Sequence, residues 1–166
     1  MPRKKSSEPK AGRPHMPGYG IVGPKKGRLL PWRWATERLR KAHNYWISTC
    51  RPDGRPHTMP VWGVWLDGAF YFSTGRESRK AHNLAANPRC VVCPEGASEA
   101  VILEGVAREV TDDEQIRRIA KVYGAKYPFA LDPSLGPIFA VRPRVAFGQI
   151  EKADLFTKTA TRWRFN

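Results

Sequence analysis

Acidic residues are scarce in this chain of 166 residues. Only 15 Asp and Glu stand against 29 Lys and Arg, which leaves a formal charge of +14 and a pI near 10.2. That balance disfavours cationic partners and points to a polyanion: nucleic acid, anionic lipid or a phosphorylated cofactor. Long apolar runs are also missing. None approaches the ~20 residues of a membrane-spanning helix, so a protein of that kind is not expected. Cysteine is rare: Cys50, Cys90 and Cys93 are too few for a disulfide framework and fit a reducing cytoplasm. The basic start Met-Pro-Arg-Lys-Lys has no apolar segment behind it, so no secretory leader is expected. With 41% hydrophobic and 27% charged residues, the chain is too apolar for wholesale disorder.

The charge is unevenly spread. Residues 1–28 hold eight basic side chains against one acid, Glu8, and so carry half of the excess. They also hold Pro2, Pro9, Pro14, Pro17 and Pro24. Such a segment buries too little to offset its chain entropy, and it reads as a tail disordered by itself, with Tyr19 and Ile21 free to dock. Residues 29–166 read as one domain. A short helix over Leu30–Ala42, with Pro31 in its first turn, precedes strands at His43–Cys50, Thr58–Leu66 and Ala69–Thr74. The last two flank Asp67-Gly68, a strong hairpin signal, and the three form a meander.

Further on, Ser78–Ala86 reads as a helix closed by Asn87-Pro88. Strands are expected at Arg89–Cys93 and Glu99–Val110. The capping box Thr111-Asp112-Asp113-Glu114 opens a helix whose stripe is Ile116, Ile119, Ala120 and Tyr123. Two more strands, Pro137–Ile150 and Thr159–Phe165, complete a mainly β (α+β) fold of about six to seven antiparallel strands with short flanking helices, a small closed or half-closed barrel.

Familiar catalytic constellations are absent. His43, His57 and His82 are scattered, and no Ser or Cys nucleophile has a base at a recognisable spacing. Cys90 and Cys93 have CxxC spacing, but in a strand positions three apart face opposite sides, so no metal site is expected. What stands out is Phe72-Ser73-Thr74-Gly75-Arg76-Glu77-Ser78-Arg79-Lys80. A strand ends in hydroxyls, Gly75 turns the chain, and a helix starts with Ser78, Arg79 and Lys80. Unpaired N–H groups at a helix start attract an anion, and hydroxyls with a guanidinium and an ammonium complete a phosphate site. Spacing alone leaves a second reading open: an ordinary helix cap with solvated cations.

Residues 72–92, Phe-Ser-Thr-Gly-Arg-Glu-Ser-Arg-Lys-Ala-His-Asn-Leu-Ala-Ala-Asn-Pro-Arg-Cys-Val-Val, resemble the core motif of the pyridoxamine 5'-phosphate oxidase superfamily of FMN-binding split β-barrels. The upstream Gly54–Trp65, Pro31–Ala35 and the terminal Thr161–Phe165 are similar to its flavin/deazaflavin oxidoreductase branch, which commonly uses coenzyme F-420. The resemblance spans about residues 29–166. It implies a split β-barrel in which Ser73, Thr74 and Gly75 lie along the cofactor and Ser78, Arg79 and Lys80 hold its phosphate. Met59, Pro60, Val61, Trp62 and Gly63 would offer backbone groups to the ring, and Arg162 and Trp163 would approach it from the C-terminus. Arg51, Arg55, Arg76 and Lys80 are rim candidates, by proximity in sequence, for an anionic cofactor tail. Two departures speak against the vitamin B6 reaction: residues 60–63 carry no base, and Ala100 stands where the oxidase has a glutamine.

The resemblance also implies a homodimer with cofactor sites at the subunit interface. Hydride transfer between coenzyme F-420, or FMN, and an unidentified organic acceptor is the expected function. The cofactor would carry the redox chemistry, which fits the lack of a catalytic dyad and leaves the catalytic side chains unknown. Two alternatives stand beside it: a non-catalytic carrier of F-420, FMN or haem, and a basic nucleic-acid-associated module.

Overall fold

A computed structural model describes residues 8–23 and 25–166. Three of the tail's cations, Arg3, Lys4 and Lys5, lie outside the described residues, as does Pro24. The elements run β1 (Lys10–Gly12), α1 (Trp32–Lys41), β2 (Tyr45–Cys50), β3 (Pro56–Val61), β4 (Val64–Leu66), β5 (Ala69–Ser73), α2 (Arg79–Ala86), β6 (Arg89–Pro94), β7 (Glu99–Glu109), α3 (Asp113–Lys126), β8 (Ile138–Ile150), α4 (Ala153–Thr159) and β9 (Thr161–Arg164). All strands join one antiparallel sheet in the order β1-β9-β8-β7-β6-β2-β3, with β4 on β5 and β5 on β8. The fold is the expected mainly β split barrel with short helices.

Two partner switches produce the split. The run expected as one strand from Thr58 to Leu66 breaks at Trp62-Gly63: its first part pairs with β2 and its second with β5. The meander is thus realised in two halves. At the hairpin tip, Asp67 and Gly68 both take positive φ, 48° and 78°, as a two-residue turn matching strand twist requires. The long β8 switches likewise. Ile138–Val141 pairs with β5 and Val145–Gly148 with β9, and Pro143 lies between them, opposite a bulge at Glu104/Gly105. A proline cannot donate to a ladder, so a strand changes partner there at little cost.

Alternation dictates the interior. Tyr45, Ile47, Phe70, Phe72, Leu103, Val141 and Trp163 are fully or almost fully buried, and each contributes roughly 1.5–3 kcal/mol of burial. Helix α1 closes this core with Ala35, Thr36 and Leu39. A second core lies under α3, where Ile119, Tyr123 and Tyr127 meet Val64, Tyr71 and Ile138. The N-cap of α3 is Asp112, whose carboxylate accepts the Gln115 N–H at 2.7 Å, rather than the expected Thr111.

One expectation needs correction, and the docking left open for the tail has a definite partner. The segment from Thr159 to Phe165 holds only four strand residues, because Ala153–Thr159 winds into α4 first. Part of the tail is also ordered on the domain. Lys10–Gly12 pairs with β9, Arg13 donates to the carbonyls of Ala160 (2.9 Å) and Lys158 (2.7 Å), and Tyr19 packs edge-on to Phe156. The missing signal was the partner: cations near a helix C-terminus satisfy its orphan carbonyls. These contacts and the strand-split account for nine strands in place of seven.

Candidate functional site

Strand β5 delivers Ser73 and Thr74 to the first turn of α2. Ser73 Oγ donates to the Pro137 carbonyl at 3.2 Å, which fixes the strand end against the start of β8. The hydroxyls of Thr74 and Ser78 lie 3.0 Å apart, and Ser78 Oγ also accepts the Ala81 N–H at 3.2 Å. Ser78 is therefore the N-cap of α2, and both functions read from the sequence, cap and hydroxyl cluster, meet at one oxygen. Gly75 and Arg79 are exposed; Lys80 is half-buried, and that burial lowers its pKa from the ordinary lysine value.

The neighbouring strands add what the linear motif did not show. Asn83 of α2 is fully buried and donates to Thr49 Oγ1 at 2.9 Å, tying α2 to β2. Thr49 stands opposite His57 in the β2–β3 ladder. Burial, and then the charges of Arg51, Lys80 and Arg79, hold the His57 imidazole below its ordinary range. Arg51 Nε and His57 Nδ1 are both buried without a hydrogen-bond partner among the described residues. The acid of this neighbourhood, Asp53, is committed: Arg55 donates to it at 2.7 and 2.9 Å and lowers its pKa, with Arg51 and Arg79 adding to the effect. Crowded cations with orphaned donors fit an incoming anion.

Not every rim candidate points here. Arg76 pairs with Glu109 at 3.1 Å and Arg55 with Asp53, so neither guanidinium is free. On the expected ring-facing strand, Met59 is 44% exposed, Pro60 is exposed and Val61 is buried. Trp62 lies half-buried, donating to Asn44 Oδ1 at 3.2 Å and stacked on Tyr127 at 4.9 Å. Gly63 is pinned from both sides. Its N–H donates to Tyr127 Oη at 3.0 Å, and its carbonyl accepts from Lys126 Nζ at 3.0 Å. Arg162 and Trp163 do not share a face: Arg162 is partly exposed, whereas Trp163 is fully enclosed in the core against Trp32. Spacing within the last strand could have warned of this, since adjacent residues alternate.

Sequence reasoning missed His57 as a member of this cluster, and it missed the clamp from α3. Only the β2–β3 register and the docking of α3 bring these groups in. A groove of about 440 Å³ is lined by Ser48, Thr49, Cys50, Asn87, Glu104 and Arg144 among others, and it does not include the first turn of α2. Cys90 and Cys93 alternate as expected, with Cys90 buried and its thiol pushed up to about 12. Among the described residues no three His, Cys, Asp or Glu side chains converge, and no helix is long and apolar enough to cross a membrane.

Comparison with known proteins identifies the family and the fold. A pyridoxine/pyridoxamine 5'-phosphate oxidase of Bacteroides thetaiotaomicron is 31% identical over 121 residues, covering 70% of this chain and 53% of that protein. The chain therefore spans about half the length of this curated relative. Among solved structures, a conserved hypothetical protein of Mycobacterium tuberculosis superposes with a TM-score of 0.66 at 20% identity, covering 77% of this chain and 89% of the other. An F-420 reductase gives a TM-score of 0.54 at 22% identity, covering 66% and 93%. The family model described as pyridoxamine 5'-phosphate oxidase matches residues 35–157, so the chain belongs to that family.

Proposed function

We propose that this protein is an oxidoreductase that binds a flavin-type cofactor, coenzyme F-420 in preference to FMN, and transfers a hydride between it and an organic acceptor. The observation that carries the reading is the anion cradle at α2: Thr74 and Ser78 hydroxyls 3.0 Å apart at the start of the helix whose first two residues are Arg79 and Lys80. These groups would hold the phosphate. A deazaflavin cofactor carries a phosphodiester and a polyglutamate tail, and the chain's basic surplus suits it.

β3 ends the hydrogen-bonded path among the described residues, so Met59–Val61 offer backbone groups to a ring along that edge, while Gly63 is already held by Tyr127 and Lys126. The bound cofactor supplies the hydride chemistry. The chain's own residues bind the phosphate, fix the Trp62-Gly63 break and exclude water with Trp62 and its stacked neighbours Tyr127 and Phe129. We place a second copy of the chain against the outer face of the sheet, where Trp46 is 47% exposed. The single-domain reading of residues 29–166 and a cytoplasmic location belong to the same proposal.

The test is a titration of F-420 and FMN against the intrinsic fluorescence of the six tryptophans. Saturable quenching by either supports the reading, and tighter binding of F-420 supports the preference. Binding of neither overturns it. Binding without turnover of any acceptor would make the protein a carrier.

A further inference from the structure

Arg164 lies directly opposite Lys10 across the β1–β9 ladder, and Arg162 lies opposite Gly12. Trp163 turns inward to the core, so by alternation Arg162, Arg164 and Lys10 share the outer face. Like charges facing each other across strands cost stability, yet the tail docks with this pair in register. A third strand adds to it. The β7–β8 register steps from Glu104 opposite Val145 to Gly105 opposite Pro143, which leaves Arg144 as the extra residue of the bulge, exposed and without a ladder partner. Its carbonyl accepts the Phe165 N–H at 3.0 Å, which holds Arg144 beside the end of β9. Before the start of β9, Gly27 packs so closely on the Lys158 carbonyl and the Arg13 guanidinium that a Cβ would collide with both. Lys26, Arg28 and Lys158 are all exposed there.

These side chains make a basic band from the β8 bulge across β9 and β1 to the end of α4. The six ion pairs among the described residues belong to Arg33, Arg38, Arg55, Arg76, His82 and Arg118, none of which is on it. Glu104, across β8 from Arg164, and Glu8, two residues before Lys10, enter no ion pair either. Arg162 Nε is shielded from solvent and has no acceptor among the described residues. A small anion would meet one or two of these cations. A chain of phosphates meets the row.

We propose that this band is a contact surface for the phosphate backbone of double-stranded nucleic acid, separate from the cofactor cradle. The cradle lies at β5 and α2, and β5 pairs with the other half of β8, Ile138–Val141. Trp46, on β2, is separated from β9 by β8, β7 and β6, so the band does not compete with a second copy placed there. An anionic membrane is the competing partner, but firm attachment to one needs apolar side chains beside the cations. Trp46, Met59, Val122, Phe129 and Leu135, the exposed large apolar side chains outside the tail, belong to other parts of the fold, and Tyr19 already leans on Phe156. Contacts to phosphate alone carry no base readout, so binding is independent of sequence.

The test is the fluorescence anisotropy of a labelled duplex of about 20 base pairs, titrated with the full-length chain from about 50 to 200 mM salt. Affinity should fall linearly on logarithmic axes, each neutralised phosphate contributing about 0.9 to the slope. The double variant Arg144→Gln/Arg164→Gln should lower the slope by about 1.8, with an unchanged circular dichroism spectrum. Lys10→Gln alone, on a segment outside the barrel core, should lower it by about 0.9. The control Arg117→Gln/Lys121→Gln removes the same charge from exposed positions of α3 and should keep the wild-type slope. Equal losses in the two double variants would reduce the effect to net charge and overturn the proposal. So would a wild-type slope in Lys10→Gln, no binding at the lowest salt, or binding to phosphatidylserine vesicles with none to the duplex. Each of these results leaves the cofactor reading untouched, because no cradle residue is changed.

Discussion

Lys126 Nζ lies 3.0 Å from the carbonyl oxygen of Gly63, at the point where one strand stops pairing with β2 and its continuation starts pairing with β5. The ammonium also donates to Tyr45 Oη at 2.7 Å and sits over the rings of Tyr45 and Tyr127. The last turn of α3 thus fastens the strand break from outside, and Tyr127 fastens it again through its hydroxyl.

This lysine gives the first prediction. Burial depresses its pKa to about 8 from an ordinary 10.5, against a weaker opposing pull from Glu95. Between those values the unfolded chain holds a proton that the folded chain has released. Stability from this group therefore rises with pH from about 8 to 10.5. Tyr127, raised to about 12 by burial, acts oppositely above pH 10. Urea unfolding of wild type and Lys126→Met should show a stability difference that changes steadily across this window in favour of wild type. A constant difference would show that Lys126 does not titrate there.

A second prediction concerns the cradle. Lys80→Ala should weaken binding of the cofactor by roughly 1–3 kcal/mol, the scale of a lost charge-assisted hydrogen bond. Lys80 is only half-buried, so the fold should be intact by circular dichroism. Wild-type affinity in the variant would remove Lys80 from the phosphate site.

Gly63→Ala tests the strand break. An added Cβ would meet the Phe70 ring and lie 2.5 Å from the Tyr71 carbonyl oxygen. Backbone cannot yield as a flexible side chain can. Overpacking of this kind costs about 1–3 kcal/mol, readable as a lower midpoint in urea. An unchanged midpoint would mean that the break relaxes freely.

The ordered part of the tail gives the fourth prediction. Deleting residues 1–16 removes the β1 pairing and both Arg13 bonds. Deleting 1–24 also removes Tyr19 from Phe156 and the bond from Val22 N–H to the Thr157 carbonyl. Thermal midpoints should fall in that order. Three equal midpoints would show that the docked segment adds nothing to stability.

Much of the barrel was legible because the periodicity of its strands is strong and its turns carry Asp67-Gly68 and Asn87-Pro88. The break at Trp62-Gly63 was not, since Val61, Trp62, Val64 and Trp65 all read as strand formers and only pairing reveals the switch. The short contact of β1 with β9 was invisible for a related reason. Three residues, Lys-Ala-Gly, have no strand propensity, and the sheet edge supplies the order. In the cradle, Thr74, Ser78, Arg79 and Lys80 are close in sequence and were found together. His57 reaches them only through ladder register, and Trp163 was misplaced because a resemblance gives a residue's position along the chain but not the face it turns to.

The ends of the hydrogen-bonded path bear on how crowded molecules of this protein behave. One end is β1, three residues long, begun by Lys10 and bracketed by Pro9 and Pro14. The other is β3, whose six residues include Pro56 and Pro60. A foreign strand seeking to extend the sheet needs a row of N–H donors, and prolines interrupt that row at one end and bound it closely at the other. At high concentration, fibre growth by strand addition is thus obstructed at both ends of this path, and the one further edge among the described residues is the three-residue β4.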